Sequence, residues 1–253
     1  ASGQTTINTK TKSRDHTEIM LRDFSSPISS ENNRIHITGG DLLSPGQVQV
    51  PGDVSAAAFL ILATLISKGS ELIIENVGLN PTRTGFIEIM KLMGGNIKTV
   101  IKNQNKSSEK IGSIIIKSSK LKGIKVPKYL ITSAIDELPL VFLAGACAEG
   151  STIIRNAEEL RYKESDRISS MIKTLNTFAI KTKEFNDGAT IDGGTITGGI
   201  VDSFGDHRIA MTAIIASCVS EKPIIVENCK NIDTSFPTFQ KIMNLIGMNI
   251  KEH

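Results

Sequence analysis

Residues 52–67, "GDVSAAAFLILATLIS", decide the fold. From Val54 to Ile66 the run holds thirteen residues, with Ser55 and Thr64 as its polar members. That is short of the roughly 18 to 20 apolar residues a bilayer-spanning helix needs, so the run reads as a core element and predicts no membrane span. A helix that is apolar on nearly every face must be buried all round. Two further stretches share this character, "DELPLVFLAGACAEG" (136–150) and "GDHRIAMTAIIASCVS" (205–220). Three such helices place helices inside and sheets outside, the reverse of the layering in which helices cover a central sheet.

The strands around them repeat. "GQTTIN", "GSELIIEN", "GSTIIRN" and "KPIIVEN" are β-branched runs ending in Asn8, Asn76, Asn156 and Asn228, which predicts four equivalent strands. Each is followed by a short polar motif ("KSRDHTE", "NPTRTGF", "YKESDRI", "DTSFPTF"), then an amphipathic helix such as "FIEIMKLMGG". In three copies an Ile then opens another extended run: Ile97, Ile180 and Ile250. Each unit reads as β-α-β-α-β-β.

Composition narrows the function classes. The 253 residues can bury one or two cores. A net charge of +3, no Trp and two Tyr supply neither a strong phosphate-neutralising surface nor a stacking platform, which argues against nucleic acid. Cys147, Cys218 and Cys229 lack metal-ligand spacing, and the first two sit in apolar runs. No structural metal and a reducing, cytoplasmic setting are expected. The chain opens "ASGQTTINTK" without Met or a signal segment, which suggests an internal point of a longer protein.

Each buried helix begins at an acid: Asp53, Asp136 or Asp206. Asp at such a start is first of all a cap, yet three helix starts aimed at one place would also stabilise an anion, and His207 and Arg208 follow Asp206 directly. "KESDR" (163–167) precedes Ile168, Met171, Ile172 and Leu175 at helical spacing. On a helix, Lys163 and Arg167 would project along one flank, with Glu164 at the edge of the stripe and Asp166 pointing away. The cluster fits a solvated, salt-bridged helix start as well as a pair of cations aimed at an anion. Recurrence of cations in the polar motifs, at Arg14, Arg83, Lys163 and Arg167, favours the second reading.

In this order, "SRDHTE", "PGDVSAAAFL", "NPTRTG", "KESDRI", "DSFGDHRIAM" and "TSFPTF" closely resemble the 5-enolpyruvylshikimate-3-phosphate synthase family, especially its bacterial forms, almost from residue 3 to the C-terminus. The resemblance implies an α/β fold of the enolpyruvyl transferase type, an inside-out prism of β-α-β-α-β-β repeats with buried parallel helices wrapped by sheets. It implies transfer of the enolpyruvyl group of phosphoenolpyruvate to the 5-hydroxyl of shikimate 3-phosphate, through a tetrahedral intermediate and with release of phosphate, using no metal and no organic cofactor. By motif, Asp136 matches the carboxylate that contacts the shikimate hydroxyl and accepts its proton. Lys163 and Ser13 match residues at the shikimate phosphate, Glu164 a proton donor or shuttle, and Arg167 and Arg208 the two arginines that hold phosphoenolpyruvate. Near "DTSFP" some members carry a further Lys for phosphoenolpyruvate. Here Asp233 or Thr234 occupies that place, with Lys230 the nearest substitute.

The resemblance further implies two domains: residues 1–50 as the last repeat of an N-terminal domain, and 51–253 as a C-terminal domain of three repeats, with substrates in the cleft between them. The expected partner is therefore the N-terminal part of the same enzyme. Two alternatives stand beside this reading. One is an inactive, anion-binding half or relic. The other is the related UDP-N-acetylglucosamine enolpyruvyl transferase, which the KESDR and GDHR motifs disfavour.

Overall fold

The computed structural model describes residues 2–10, 13–40, 43–44, 48–102 and 109–252. In chain order the elements are β1 (Gly3–Asn8), α1 (His16–Asp23), β2 (Ile28–Glu31), β3 (Arg34–Gly39), α2 (Val54–Ile66), β4 (Glu71–Gly78), α3 (Gly85–Leu92), β5 (Asn96–Ile101), β6 (Ile111–Lys117) and α4 (Lys128–Ile131). A 3-10 turn, Thr132–Glu137, leads into α5 (Leu138–Ala146), followed by β7 (Ser151–Ile154) and a second 3-10 turn, Glu158–Tyr162. The remainder is α6 (Arg167–Thr177), β8 (Thr182–Phe185), β9 (Gly188–Asp192), β10 (Gly199–Asp202), α7 (His207–Ala216), β11 (Ile224–Glu227), α8 (Ile232–Ser235) and α9 (Phe239–Leu245).

The repeat is explicit in the sheets. Three antiparallel sheets share one order, first strand, third strand, second strand: β1-β3-β2, β4-β6-β5 and β7-β9-β8. Around each buried helix the flanking segments pair in parallel, at Gly52 with Val77 about α2, at Lys125 with Ile153 about α5, and as β10 with β11 about α7. The last unit is incomplete: Ile250 opens no strand, and its N–H is taken by the Asn244 side chain at 2.7 Å. The recurring strand-end Asn has a backbone cause. Asn76, Asn156 and Asn228 sit at φ of 57°, 61° and 59°, the left-handed conformation that Asn tolerates better than other residues with a Cβ.

Helices α2, α5 and α7 pack pairwise against one another. All nine residues of α5 and ten of α2 are buried, while the sheets lie outside them, β4 and β6 against α2 and β7 and β9 against α5. The inside-out expectation therefore holds, for the reason the sequence offers: an all-round apolar helix has no face to give to water. The stretch Lys128–Ala146 is long and apolar enough to cross a membrane by length and composition, at 19 residues, but 78% of it is buried inside the protein.

The first fifty residues differ from the rest. None of the described ones is buried, although β1, β2 and β3 pair in full register. The core begins at Val54 and ends at Met243.

Candidate functional site

The starts of the three buried helices meet. Asp53 caps α2, accepting from the N–H of Ser55 at 3.0 Å, and Asp206 caps α7, accepting from the N–H of Arg208 at 2.9 Å. Asp136 departs from the expected pattern. It lies within the 3-10 turn ahead of α5 and caps nothing, because Glu137 occupies the cap position, so its carboxylate is available to side chains.

Three cations surround that carboxylate. Arg14, from the segment ahead of α1, donates to Oδ2. Lys163 Nζ stands 3.5 Å from Oδ1 and Arg167 Nη1 3.9 Å from the same oxygen. Burial by itself would raise the Asp136 carboxyl. The Arg14 hydrogen bond and the charges of Arg208, Lys163 and Arg14 outweigh it and hold the pKa at about 2.

Arg167 is 1% exposed and is gripped from behind, its Nε donating to Asp206 Oδ2 at 2.8 Å and its Nη2 to Glu164 Oε2 at 2.6 Å. Its Nη1, fully buried, has no hydrogen-bond partner among the described residues and points towards the Asp136 carboxylate. Arg208 Nη1 donates to the carbonyl of Asp136 at 3.0 Å and lies 3.5 Å from Glu137 Oε1. Beside it, burial and then the Arg208 charge lower the pKa of His207.

Lys163 and Arg167 thus converge, but not along one helix flank. Lys163 is extended, ahead of α6, and reaches the site through the bend after the second 3-10 turn; it also pairs with Glu159 at 2.7 Å. Asp166 has the structural task the spacing suggests, accepting from the N–H of Ser169 at 3.1 Å as the cap of α6. Arg161, held at 2.6 Å to Asp166 and 2.9 Å to Glu184, ties this bend to β8. Ser13 is exposed and makes no hydrogen bond among the described residues, whereas its neighbour Arg14 enters the cluster. Lys230 and Asp233 lie in the 3-10 turn Cys229–Asn231 and in α8. Glu137 and Ser55, both buried, also join the cluster; they lie within "DELPLVFLAGACAEG" and "PGDVSAAAFL", where nothing in their residue type assigns them a role.

A set of three arginines and a lysine gathered with carboxylates at converging helix starts is suited to binding an anion and moving a proton beside it. A family model for EPSP synthase (3-phosphoshikimate 1-carboxyvinyltransferase) matches residues 1–243. The 3-phosphoshikimate 1-carboxyvinyltransferase of Legionella pneumophila strain Corby is 45% identical over all of the chain and 58% of its own length. That of Coxiella burnetii strain RSA 331 is 41% identical over 99% of the chain and 57% of its own length. Among solved structures, EPSP synthase from Acinetobacter baumannii superposes with a TM-score of 0.94 at 41% identity, covering 99% of this chain and 58% of that one. The enolpyruvyl transferase NikO from Streptomyces tendae shares the fold at 18% identity, with a TM-score of 0.78 over 99% of this chain and 57% of that one. The chain spans somewhat over half the length of these relatives, and it belongs to the EPSP synthase family.

Proposed function

We propose that this chain is the C-terminal part of an enzyme that transfers the enolpyruvyl group of phosphoenolpyruvate to the 5-hydroxyl of shikimate 3-phosphate, in the shikimate route to aromatic amino acids. Residues 1–50 belong to the N-terminal domain and 51–253 form the C-terminal one, a division supported by the absence of any buried residue among the described part of the first segment. The N-terminal part carried by the relatives is the partner that completes the cleft. The cytoplasm is its setting. Neither metal nor organic cofactor takes part.

The observation that carries the reading is the pair Arg167 and Arg208, each bound from behind by protein acceptors, with Asp136 between them. Two planar forks so held can take the carboxylate and phosphate of phosphoenolpyruvate. Lys163, which shares the Asp136 carboxylate with Arg14, faces the phosphate of shikimate 3-phosphate, with Ser13, next to Arg14 in the chain, as a further contact. With a pKa of about 2, Asp136 is a weak base at neutral pH. A substrate phosphate that draws Lys163 and Arg14 towards itself removes two of the charges that depress it, so substrate binding itself turns Asp136 into a better proton acceptor.

In the addition step the 5-hydroxyl loses its proton to Asp136 and its oxygen bonds to C2 of phosphoenolpyruvate, while Glu164, 52% exposed at the rim, gives a proton to the methylene carbon. In the elimination step that carbon returns a proton to Glu164, the double bond re-forms and the bond from C2 to the phosphate oxygen breaks, the leaving phosphate taking up the proton held by Asp136. The cations serve both steps by stabilising charge as it develops.

The test is complementation. Adding the N-terminal part of the Legionella pneumophila relative should restore phosphate release from phosphoenolpyruvate and shikimate 3-phosphate, and Arg208→Ala should abolish it. Phosphoenolpyruvate binding without turnover in the complemented protein would instead establish the inactive, anion-binding reading, which the 58% coverage of the relatives keeps in view. Turnover with a UDP-N-acetylglucosamine acceptor would establish the other.

A further inference from the structure

One set of side chains behind Arg208 has no part in the steps above. Arg83, from the "NPTRTG" motif, donates through Nη2 to Ser55 Oγ and lies 3.6 Å from Asp53 Oδ1. The Ser55 hydroxyl donates in turn to Glu137 Oε1. That same carboxylate oxygen stands 3.5 Å from Arg208 Nη1. Ser55 and Glu137 are each 3% exposed, so the contact between them lies in the core, while Arg83 and Asp53 lie at its outer edge.

We propose that Glu137 is the positioning residue for Arg208, with Ser55 and Arg83 holding Glu137 in place; the proposal rests on the reading of Arg208 as a phosphoenolpyruvate ligand. A carboxylate this deeply buried is costly unless cations and donors compensate it. Here Arg83 compensates it on one side, through Ser55, and Arg208 on the other. Arg208 Nη1 is then shared between two acceptors, the Glu137 carboxylate and the Asp136 carbonyl. Its Nε and Nη2 take no hydrogen bond among the described residues, which leaves one edge of the fork for an incoming anion. A long side chain pinned by one nitrogen before the ligand arrives loses less rotamer freedom on binding. The arrangement mirrors that at Arg167, where Asp206 and Glu164 grip the guanidinium from behind. Each anion-binding arginine thus has its own buried carboxylate. The recurring cation of the second repeat, Arg83, serves that support and not the substrate.

The test uses the full chain with the Arg208 side-chain Nε–H signal, assigned by its loss in Arg208→Ala, followed by NMR relaxation, and phosphoenolpyruvate titrated by calorimetry. Glu137→Leu should disorder the Arg208 guanidinium and weaken phosphoenolpyruvate about tenfold, the scale of ordering one long side chain. Glu137→Gln, which keeps an acceptor oxygen, should restore most of both. Ser55→Ala should shift both readouts in the same direction as Glu137→Leu and serves if the leucine variant fails to fold. An Arg208 guanidinium as ordered in Ser55→Ala and in whichever Glu137 variants fold as in the unaltered chain would overturn the proposal, since contacts that merely join helix starts would affect stability alone. If Arg208 loosens as expected but Arg208→Ala binds phosphoenolpyruvate normally, the positioning role stands and the ligand assignment of Arg208 fails.

Discussion

Arg167 and Asp206 form a fully buried ion pair, Nε to Oδ2 at 2.8 Å, with exposures of 1% and 0%. Asp206 uses its other oxygen to cap α7, so one carboxylate both starts a core helix and orients a guanidinium in the site. The charges and hydrogen bonds of Arg167 outweigh the effect of burial and lower the pKa of Asp206.

Asp206→Ala therefore removes a cap and strands a buried cation. Breaking one side of such a pair costs about 3–5 kcal/mol, and urea denaturation should show a loss of that size. Asp206→Asn, which keeps the cap acceptor, should lose clearly less; equal losses would mean that the charge, and not the cap, dominates.

Asp136 predicts a pH dependence. Its folded pKa is about 2, against an ordinary value of 3.8, so its contribution is fully present above the ordinary value and is lost as pH falls through about 2. The shift is worth on the order of 2 kcal/mol. Glu137, raised chiefly by burial, acts in the opposite sense, costing stability at neutral pH and ceasing to do so on protonation. Asp136→Asn should flatten the fall in urea midpoint between pH 4 and pH 2; an unchanged slope would show that the Arg14 and Lys163 pairs contribute nothing to folding.

Gly85 begins α3 directly against the turn that carries Asp136. A Cβ there would lie 2.8 Å from the carbonyl carbon of Ser133 and 2.9 Å from the N of Ala134, both backbone atoms that cannot swing aside. Gly85→Ala should cost about 1–3 kcal/mol and weaken phosphoenolpyruvate binding by displacing the 132–137 turn. Thermal melts and titration together check it, and a melt within a degree of the unaltered protein would contradict it.

The first fifty residues, with no buried side chain among those described, should be the most protease-sensitive part of the chain. Brief trypsin treatment followed by intact-mass measurement should yield a fragment that keeps the Val54–Met243 core. Adding the N-terminal part of a relative should slow that cleavage. Early cutting within the core would speak against the division at residue 50.

Burial raises the Cys147 thiol to about 12, and also raises those of Cys218 and Cys229. Iodoacetamide at pH 8 should label the native chain slowly, Cys147 slowest of the three, and all three rapidly in urea.

Periodicity and composition sufficed for the architecture. An unbroken apolar run such as Val54–Ile66 can only be a core helix, and four like strands with like motifs can only be a repeat, because both follow from local chemistry repeated along the chain. The motifs carried Asp136, Lys163, Glu164, Arg167 and Arg208 into one site, and the structure brings all five within one cluster. What the sequence could not decide is which charge opposes which. Asp53 and Asp206 cap their helices and Asp136 does not, although all three stand at similar places in the chain. The difference arises because a 3-10 turn ahead of α5 moves the cap to Glu137. Lys163 reaches Asp136 across a bend that helical spacing does not describe, and Ser55, an ordinary small residue within an apolar run, reaches Glu137 across 82 residues and links it to Arg83. Such partnerships are set by where three helix starts meet in space, and a local pattern holds no record of that meeting.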